Sequence, residues 1–393
     1  MSFDVHIPTR IVFGPGTLDE LAKLPLPGKK AMIVISQGNS MRRLGFLDRV
    51  ISLLAQQNIS CEVYDKIQAN PIKRHVHEGA ALIKKLGCDF IIGLGGGSSI
   101  DSAKAMAVLV ANGGDYWDYI GTGTGKGKPL LHQPLPVVAI TTTAGTGTEA
   151  DPWTVITNEE TNEKIGFGAK GTFPILSIVD PELMLSVPPT FTAYQGFDAF
   201  FHATEGYIAN IANEISDLYA LKSIALIAKW LPVAIAEPNN IEARTHVALA
   251  NTLSGLVEST SSCTSSHSME HALSAFHPEM PHGVGLILLS EGYYRFFAGK
   301  VDGRMGDIAE AMGWSLKDKR GSERDLVFVE ALLDLQKKCH VDSLQASDYG
   351  ASSTKLDDYA QNARSAMSGL FAMDRYTLSF AETKEIINTI FKH

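Results

Sequence analysis

Residues 89–99 narrow the folds open to this chain more than any other stretch. Asp89-Phe90-Ile91-Ile92-Gly93-Leu94 is a short apolar run rich in isoleucine, and it reads as a buried strand. Gly95-Gly96-Gly97-Ser98-Ser99 follows at once, and residues 100–107 open a helical run. A strand that passes through glycines into a helix N-terminus leaves backbone N–H groups pointing outward, where the helix dipole favours negative charge. The glycines also let a pyrophosphate approach the backbone closely. The pattern is not G-x-G-x-x-G, and it lacks the lysine of a P-loop. A plain strand-to-helix turn would account for one or two of the glycines.

The rest of the first half agrees with such a unit. Apolar runs at 31–35, 60–64, 90–94, 137–141 and 176–179 alternate with helical segments that include 46–56 and 76–86. That alternation predicts a parallel sheet covered by helices. Near residue 185 the character changes. Strand signals almost vanish, and stretches at 216–231, 241–259 and 322–338 carry helical spacing. Pro188-Pro189 marks the start of this second region, with Thr190 as the expected N-cap. The expected organisation is an α/β, Rossmann-like dinucleotide-binding domain over 1–185 and an all-α domain over 186–393. The glycine loop lies in the first and the histidine-rich segments in the second, so the active site is expected in the cleft between them.

Those segments carry paired ligand-type side chains. Asp198 and His202 are four residues apart, as are His267 and His271, and His282 lies just beyond in Pro281-His282-Gly283. Residues four apart share one helix face. Asp198 can therefore reach one ion together with His202, and His267 can do so with His271 or His282. A carboxylate and several imidazoles suit a divalent first-row metal, iron or zinc. Glu205 and Glu270 stand beside these motifs, where either can orient a ligating imidazole or simply face solvent.

In combination and order, these motifs resemble the iron-containing (group III) alcohol dehydrogenases. The resemblance runs over most of the chain and includes Gly95–Asp101, Thr142-Thr143-Ala144-Gly145-Thr146-Gly147-Thr148-Glu149, Val179-Asp180-Pro181-Glu182-Leu183, Asp198-Ala199-Phe200-Phe201-His202 and His267-Ser268-Met269-Glu270-His271. It implies a dehydroquinate synthase-like architecture and a metal-dependent NAD(P) oxidoreductase acting on small alcohols or aldehydes. It also implies a homodimer. By motif, the metal ligands would be Asp198, His202, His267 and His282, holding Fe2+ or alternatively Zn2+. His271 would line the site, where an imidazole can relay the proton to solvent. Gly96, Gly97, Ser98 and Asp101, with Thr142, Thr143, Thr146 and Lys164, would contact the dinucleotide. The loop from His271 to His282 is one residue longer than the family's and holds a further histidine, His277. Trp153, Phe167, Phe201 and Phe276 are candidates for an apolar substrate pocket, although aromatic residues are more often core.

The choice of dinucleotide rests on the end of the strand at 31–35. NAD sites often place an acid there for the ribose 2′-hydroxyl. Here Ser36, Gly38, Asn39 and Ser40 follow, with Arg42 and Arg43 close behind and no acid. Hydroxyls, an amide and arginines accept a 2′-phosphate. The segment also resembles the NADP-dependent butanol dehydrogenase branch, so NADP(H) is expected, with NAD(H) the alternative. The other activities open to this architecture are an NAD(H)-linked polyol dehydrogenase and a dehydroquinate-synthase-like lyase. The lyase needs a basic cluster at the metal, and Lys222, Lys229 and Arg244 adjoin no ligand motif.

Composition excludes more than it selects. With 34 Lys and Arg against 43 Asp and Glu the net charge is −9, and no basic patch marks a nucleic-acid binder. Cys61, Cys88, Cys263 and Cys339 are widely spaced and read as ordinary thiols of a reducing compartment. No secretory signal or apolar run of bilayer length is evident. A cytoplasmic enzyme with no membrane partner is the expectation.

Overall fold

The computed structural model describes residues 2–392. The chain divides into two units, residues 7–143 with 147–186, and residues 187–392 with 2–6 and 144–146. The first holds eight strands: β1 (Arg10–Phe13), β2 (Lys30–Ser36), β3 (Ser60–Ile67), β4 (Phe90–Gly95), β5 (Val137–Thr141), β6 (Thr154–Asn158), β7 (Glu163–Phe167) and β8 (Leu176–Val179). Its helices are α1 (Ser40–Arg43), α2 (Phe46–Gln56), α3 (Lys73–Leu86) and α4 (Gly97–Asn112).

Six strands form one sheet in the order β1-β8-β5-β4-β2-β3, with every recorded pairing parallel. Sequence patterning sets this up. All of β4 and β5 is buried, as continuous apolar runs demand when both sheet faces are covered. In α2, Leu47, Val50 and Leu54 recur at helical spacing and are buried; in α3, Val76, Gly79, Ala80 and Ile83 do the same. Gly87 ends α3 in the left-handed region, at φ 67°, the usual reason for a glycine after a helix.

The expected parallel sheet is therefore present. Two features were not legible. β1 is an edge strand of four residues, only partly buried. β6 and β7 form a separate antiparallel hairpin.

Register brings the strand ends that matter together. Gly95 on β4 pairs with Thr141 on β5. The Thr142 N–H then donates to the Gly95 carbonyl at 2.9 Å. The glycine turn and the Thr142-Thr143 segment thus emerge side by side at the carboxyl ends of neighbouring strands, where open α/β sheets bind ligands.

The second unit holds α5 (Pro189–Ile208), α6 (Glu214–Ala236), α7 (Ile241–Thr260), α8 (Ser265–Phe276), α9 (His282–Phe297), α10 (Arg304–Ala311), α11 (Ser322–Lys338), α12 (Leu356–Ala366), α13 (Ser368–Phe371) and α14 (Phe380–Asn388). No strand occurs in it among the described residues. Thr190 is not the cap of α5. Pro188 holds that position, and Pro189 opens the helix, where a missing N–H and a fixed φ cost nothing. By length and composition α6 meets what a bilayer span requires, contrary to the expectation for this chain; in the fold it packs against α5 and α7.

Phe201 is not free for a pocket. It is buried with Phe197, Phe200 and Tyr294 in an aromatic cluster. Phe276 packs edge-on against Tyr359, and Phe167 against Tyr116.

Candidate metal centre

α5 carries Asp198 and His202 one turn apart, so their side chains leave the same face, with His202 Nε2 3.6 Å from Asp198 Oδ1. α8 contributes His267, whose Nε2 lies 3.8 Å from the same oxygen. His282, the first residue of α9, brings its Nε2 to 3.3 Å from it. One donor atom from each of these four residues lies within 4.8 Å of every other.

Each ring is oriented by its far nitrogen. His202 Nδ1 lies 3.2 Å from the Gly145 carbonyl oxygen, and His267 Nδ1 2.8 Å from Glu205 Oε1. His282 Nδ1 is held by Glu270 Oε2. A carbonyl or carboxylate only accepts, so in each neutral ring Nδ1 keeps the proton and leaves the Nε2 lone pair for an ion; His202 Nε2 also lies 3.0 Å from Glu258 Oε1. Glu205 and Glu270 thus take the orienting role, one of the two that their positions left open.

Electrostatics favour a cation at this point. Burial opposes ionisation of Asp198, but the His202 and His282 imidazoles outweigh it and hold the carboxyl well below the usual range. Burial also opposes a charged His267. Cys263, Glu205 and Asp198 outweigh it and raise the imidazole well above its ordinary value.

Two atoms show that the cluster is not complete as a hydrogen-bonded core. Asp198 Oδ1 and His267 Nε2 are buried and have no hydrogen-bond partner. Buried polar atoms are normally satisfied. A divalent ion bound by a carboxylate oxygen and three imidazole nitrogens satisfies both, and the donor set fits iron or zinc.

The longer loop before His282 carries His277 apart from the four. His277 points elsewhere, its Nε2 2.7 Å from the Tyr359 hydroxyl. His271 stands next to the four: its ring centroid lies 5.4 Å from that of His282 and 6.4 Å from that of His267.

In the first unit, the turn ahead of α4 is built for close approach. Gly95 has φ +146°, and a Cβ on Gly96 would come within 3.0 Å of the Thr143 side chain. Asp101 is spent on the protein: its carboxylate accepts from Thr148 Oγ1 at 2.6 Å and from the Val155 N–H at 2.9 Å. Lys164 is buried on β7. Ser36 ends β2, and Gly38, Asn39 and Ser40 lead into α1. Arg42 is paired with Asp65 at 2.7 Å, so a carboxylate from beyond the segment adjoins that turn.

Two further residues were not singled out from sequence. Gly145 sits so close to the Gln195 backbone that a Cβ would lie 3.0 Å away, which seats its carbonyl against His202. Lys104, with no exposed surface, directs its ammonium at the carbonyls of Thr148, Asp151 and Trp153 at 2.8–2.9 Å, and at Asp151 Oδ1 at 3.2 Å.

A glycine turn leading into a helix on a parallel sheet, and a buried carboxylate–imidazole set in a helical unit, fit the class of dinucleotide-linked, metal-assisted oxidoreductases. Comparison with known proteins supplies the family. Residues 8–181 match the iron-containing alcohol dehydrogenase model, and residues 192–390 match the C-terminal model of the Fe-containing alcohol dehydrogenase family. Alcohol dehydrogenase 4 of Schizosaccharomyces pombe is 38% identical over 78% of this chain and 72% of its own length. A choline dehydrogenase of Bacillus subtilis is 33% identical over 91% of this chain and 88% of its own, and an NAD-dependent methanol dehydrogenase of Bacillus methanolicus is 32% identical over 82% and 84%. The crystal structure of an archaeal halo-thermophilic Red Sea brine pool alcohol dehydrogenase superposes with a TM-score of 0.94 at 32% identity, covering 100% of this chain and 99% of that one. The chain belongs to the iron-containing alcohol dehydrogenase family and is an NAD(P)-dependent alcohol dehydrogenase.

Proposed function

We propose that this enzyme transfers a hydride between NADP(H) and a small primary alcohol or aldehyde, with Asp198, His202, His267 and His282 holding one Fe2+, or Zn2+ in its place. The observation that carries the proposal is the pair of unsatisfied buried atoms, Asp198 Oδ1 and His267 Nε2, inside a set of four donors. When bound, the ion supplies Lewis acidity to the alcohol oxygen. The protein's own groups do the rest. Glu205, Glu270 and the Gly145 carbonyl fix the ligand rings, so that their lone pairs converge without reorganisation. A bound nicotinamide would supply the hydride acceptor for the C–H electron pair, and His271, adjacent to the four, would take the O–H proton. The N–H groups at the start of α4 would receive the pyrophosphate, beside Thr142 and Thr143. The resemblance carries a homodimer and a cytoplasmic location into this reading.

Support for the 2′-phosphate comes from Ser36, Asn39, Ser40 and Arg43. A second reading, NAD(H), is favoured by one observation: Asp65 neutralises Arg42 and sets a carboxylate beside the turn. The NAD-dependent methanol dehydrogenase relative agrees with it. Metal-reconstituted protein, assayed on a panel of alcohols and aldehydes with both cofactors in parallel, tests the whole proposal. Metal-dependent turnover is the expected result. Turnover of a quite different kind, such as elimination without hydride transfer, would overturn it.

A further inference from the structure

We propose that Asp374 is a positioning residue of the metal centre. Residues 373–375, in the segment between α13 and α14, fasten together the three helices that carry the four candidate ligands. Asp374 sets the His267 ring through Tyr293, Thr264 and Glu205. This rests on the metal-binding reading above and deepens it.

The segment meets each helix at a different point. Just past the end of α5, the Asn210 N–H donates to the Met373 carbonyl at 2.8 Å, and the Asn210 side-chain amide donates to the Ala372 and Asp374 carbonyls at 2.8 and 3.2 Å. Arg375 donates to the Ile208 and Ala209 carbonyls at 3.0 and 3.1 Å. The last carbonyls of a helix lack partners within it, and its dipole favours a cation there. At the start of α8 the Thr264 hydroxyl does not cap the helix. Two carboxylates from other elements take its first N–H groups instead. Asp374 Oδ1 accepts from the Ser265 N–H at 3.3 Å, and Glu205 accepts from those of Thr264 and His267 at 2.9 and 3.4 Å. On α9, the Tyr293 hydroxyl lies 3.1 Å from the same Asp374 oxygen.

The path from there to His267 is continuous. The Tyr293 hydroxyl is 2.8 Å from Thr264 Oγ1, which donates to Glu205 Oε2 at 2.9 Å, and Glu205 Oε1 faces His267 Nδ1 at 2.8 Å. Asp374, Tyr293, Thr264 and Glu205 are all buried, so water does not compete for these bonds. Asp198 and His202 ride on α5, His267 on α8 and His282 on α9. Loss of the Asp374 side chain therefore frees α8 against the other two helices and moves His267 relative to its three companions.

The test loads the whole chain with Co2+, a divalent first-row ion whose visible absorption responds to ligand geometry. It measures that spectrum, the affinity by chelator competition, and denaturant unfolding without metal. Removing a group that orients a metal ligand typically costs about 10–100-fold in metal affinity. Asp374 acts through intermediates, so Asp374→Ala should weaken Co2+ binding by about tenfold, the low end of that range, and shift the absorption bands. Asp374→Asn keeps an acceptor oxygen for Ser265 and Tyr293 and should restore both. Tyr293→Phe removes the hydroxyl that joins Asp374 to Thr264. It should weaken binding in the same direction and add little to Asp374→Ala in the double variant, and it decides the matter alone if Asp374→Ala does not fold. Asp325→Ala is the control for lost stability: Asp325 is buried in the same unit and accepts from the N–H groups of Gly299 and Gly306, beyond the end of α9 and in α10. It should leave the Co2+ spectrum and affinity at parent values. The proposal is overturned if Asp374→Ala and Tyr293→Phe match the parent in both readouts. It is equally overturned if Asp325→Ala loses the ion to the same extent, because the loss then follows general destabilisation. A parent that binds no Co2+ overturns the metal-binding reading and the positioning role together, whereas a loaded parent with unaltered variants overturns the positioning role alone.

Discussion

His267 Nδ1 lies 2.8 Å from Glu205 Oε1, a carboxylate 62 residues earlier that also accepts from the N–H and hydroxyl of Thr264 at 2.9 Å. Glu205 is thus locked, and it locks the imidazole in turn. Glu205→Gln keeps an acceptor but removes the charge. Changes of this kind beside metal ligands typically cost about 10–100-fold in metal affinity. The variant should lose its ion to a chelator at concentrations that leave the parent loaded, with its helical content intact. Unchanged retention would show that Glu205 only fills space.

Beyond Thr264 the same network reaches Tyr293 and then Asp374, whose Oδ1 is 3.1 Å from the Tyr293 hydroxyl. Burial pushes the Asp374 carboxyl up to about 7, against hydrogen bonds that pull it down. A raised acid binds its proton more tightly in the folded state. Its contribution to stability is therefore fully present below pH 4 and is lost as pH rises through about 7. Over that window the loss is about 4 kcal/mol at most. Asp374→Asn should flatten the fall in unfolding free energy between pH 5 and 8 relative to the parent. Parallel pH profiles would contradict this.

Lys104 should matter far more than a lysine in a small-residue helix suggests. Lys104→Met leaves Asp151 buried without its cation, and breaking such a pair typically costs about 3–5 kcal/mol. Denaturant unfolding should show a loss of that order. Because Lys104 fastens Thr148 and Asp151, dinucleotide affinity should fall with it. Wild-type stability would count against the assignment.

Ser36→Asp tests the cofactor reading. A carboxylate beside the 2′-phosphate should reverse a preference for NADPH of about tenfold, acting mainly on KM because that phosphate is remote from the nicotinamide. An unmodified enzyme that already prefers NADH would remove the premise and assign the selective role to Asp65.

Much of this was readable in the chain. The sheet strands at 31–35, 90–94, 137–141 and 176–179 were visible because buried parallel strands are continuous apolar runs. Asp198 and His202 were visible because helical spacing places them on one face. Helix geometry could not choose between His277 and His282, since His277 follows directly on the end of α8 and a loop separates His282 from it. Lys104 escaped because α4 is buried on every side, so periodicity gives no warning of which face holds a charge. Glu258 and Gly145 meet His202 only through tertiary contacts, 56 and 57 residues away in sequence, and no local pattern encodes them.

The central claim is that four residues from three helices hold one ion. Metal content per chain, measured after reconstitution with Fe2+ or Zn2+, tests it directly across alanine variants of Asp198, His202, His267, His277 and His282. The account predicts one ion in the parent and in His277→Ala, and a large loss in the other four, with fold retained by circular dichroism. Full metal content in His282→Ala alongside loss in His277→Ala, or full turnover from a stringently metal-free preparation, would contradict it.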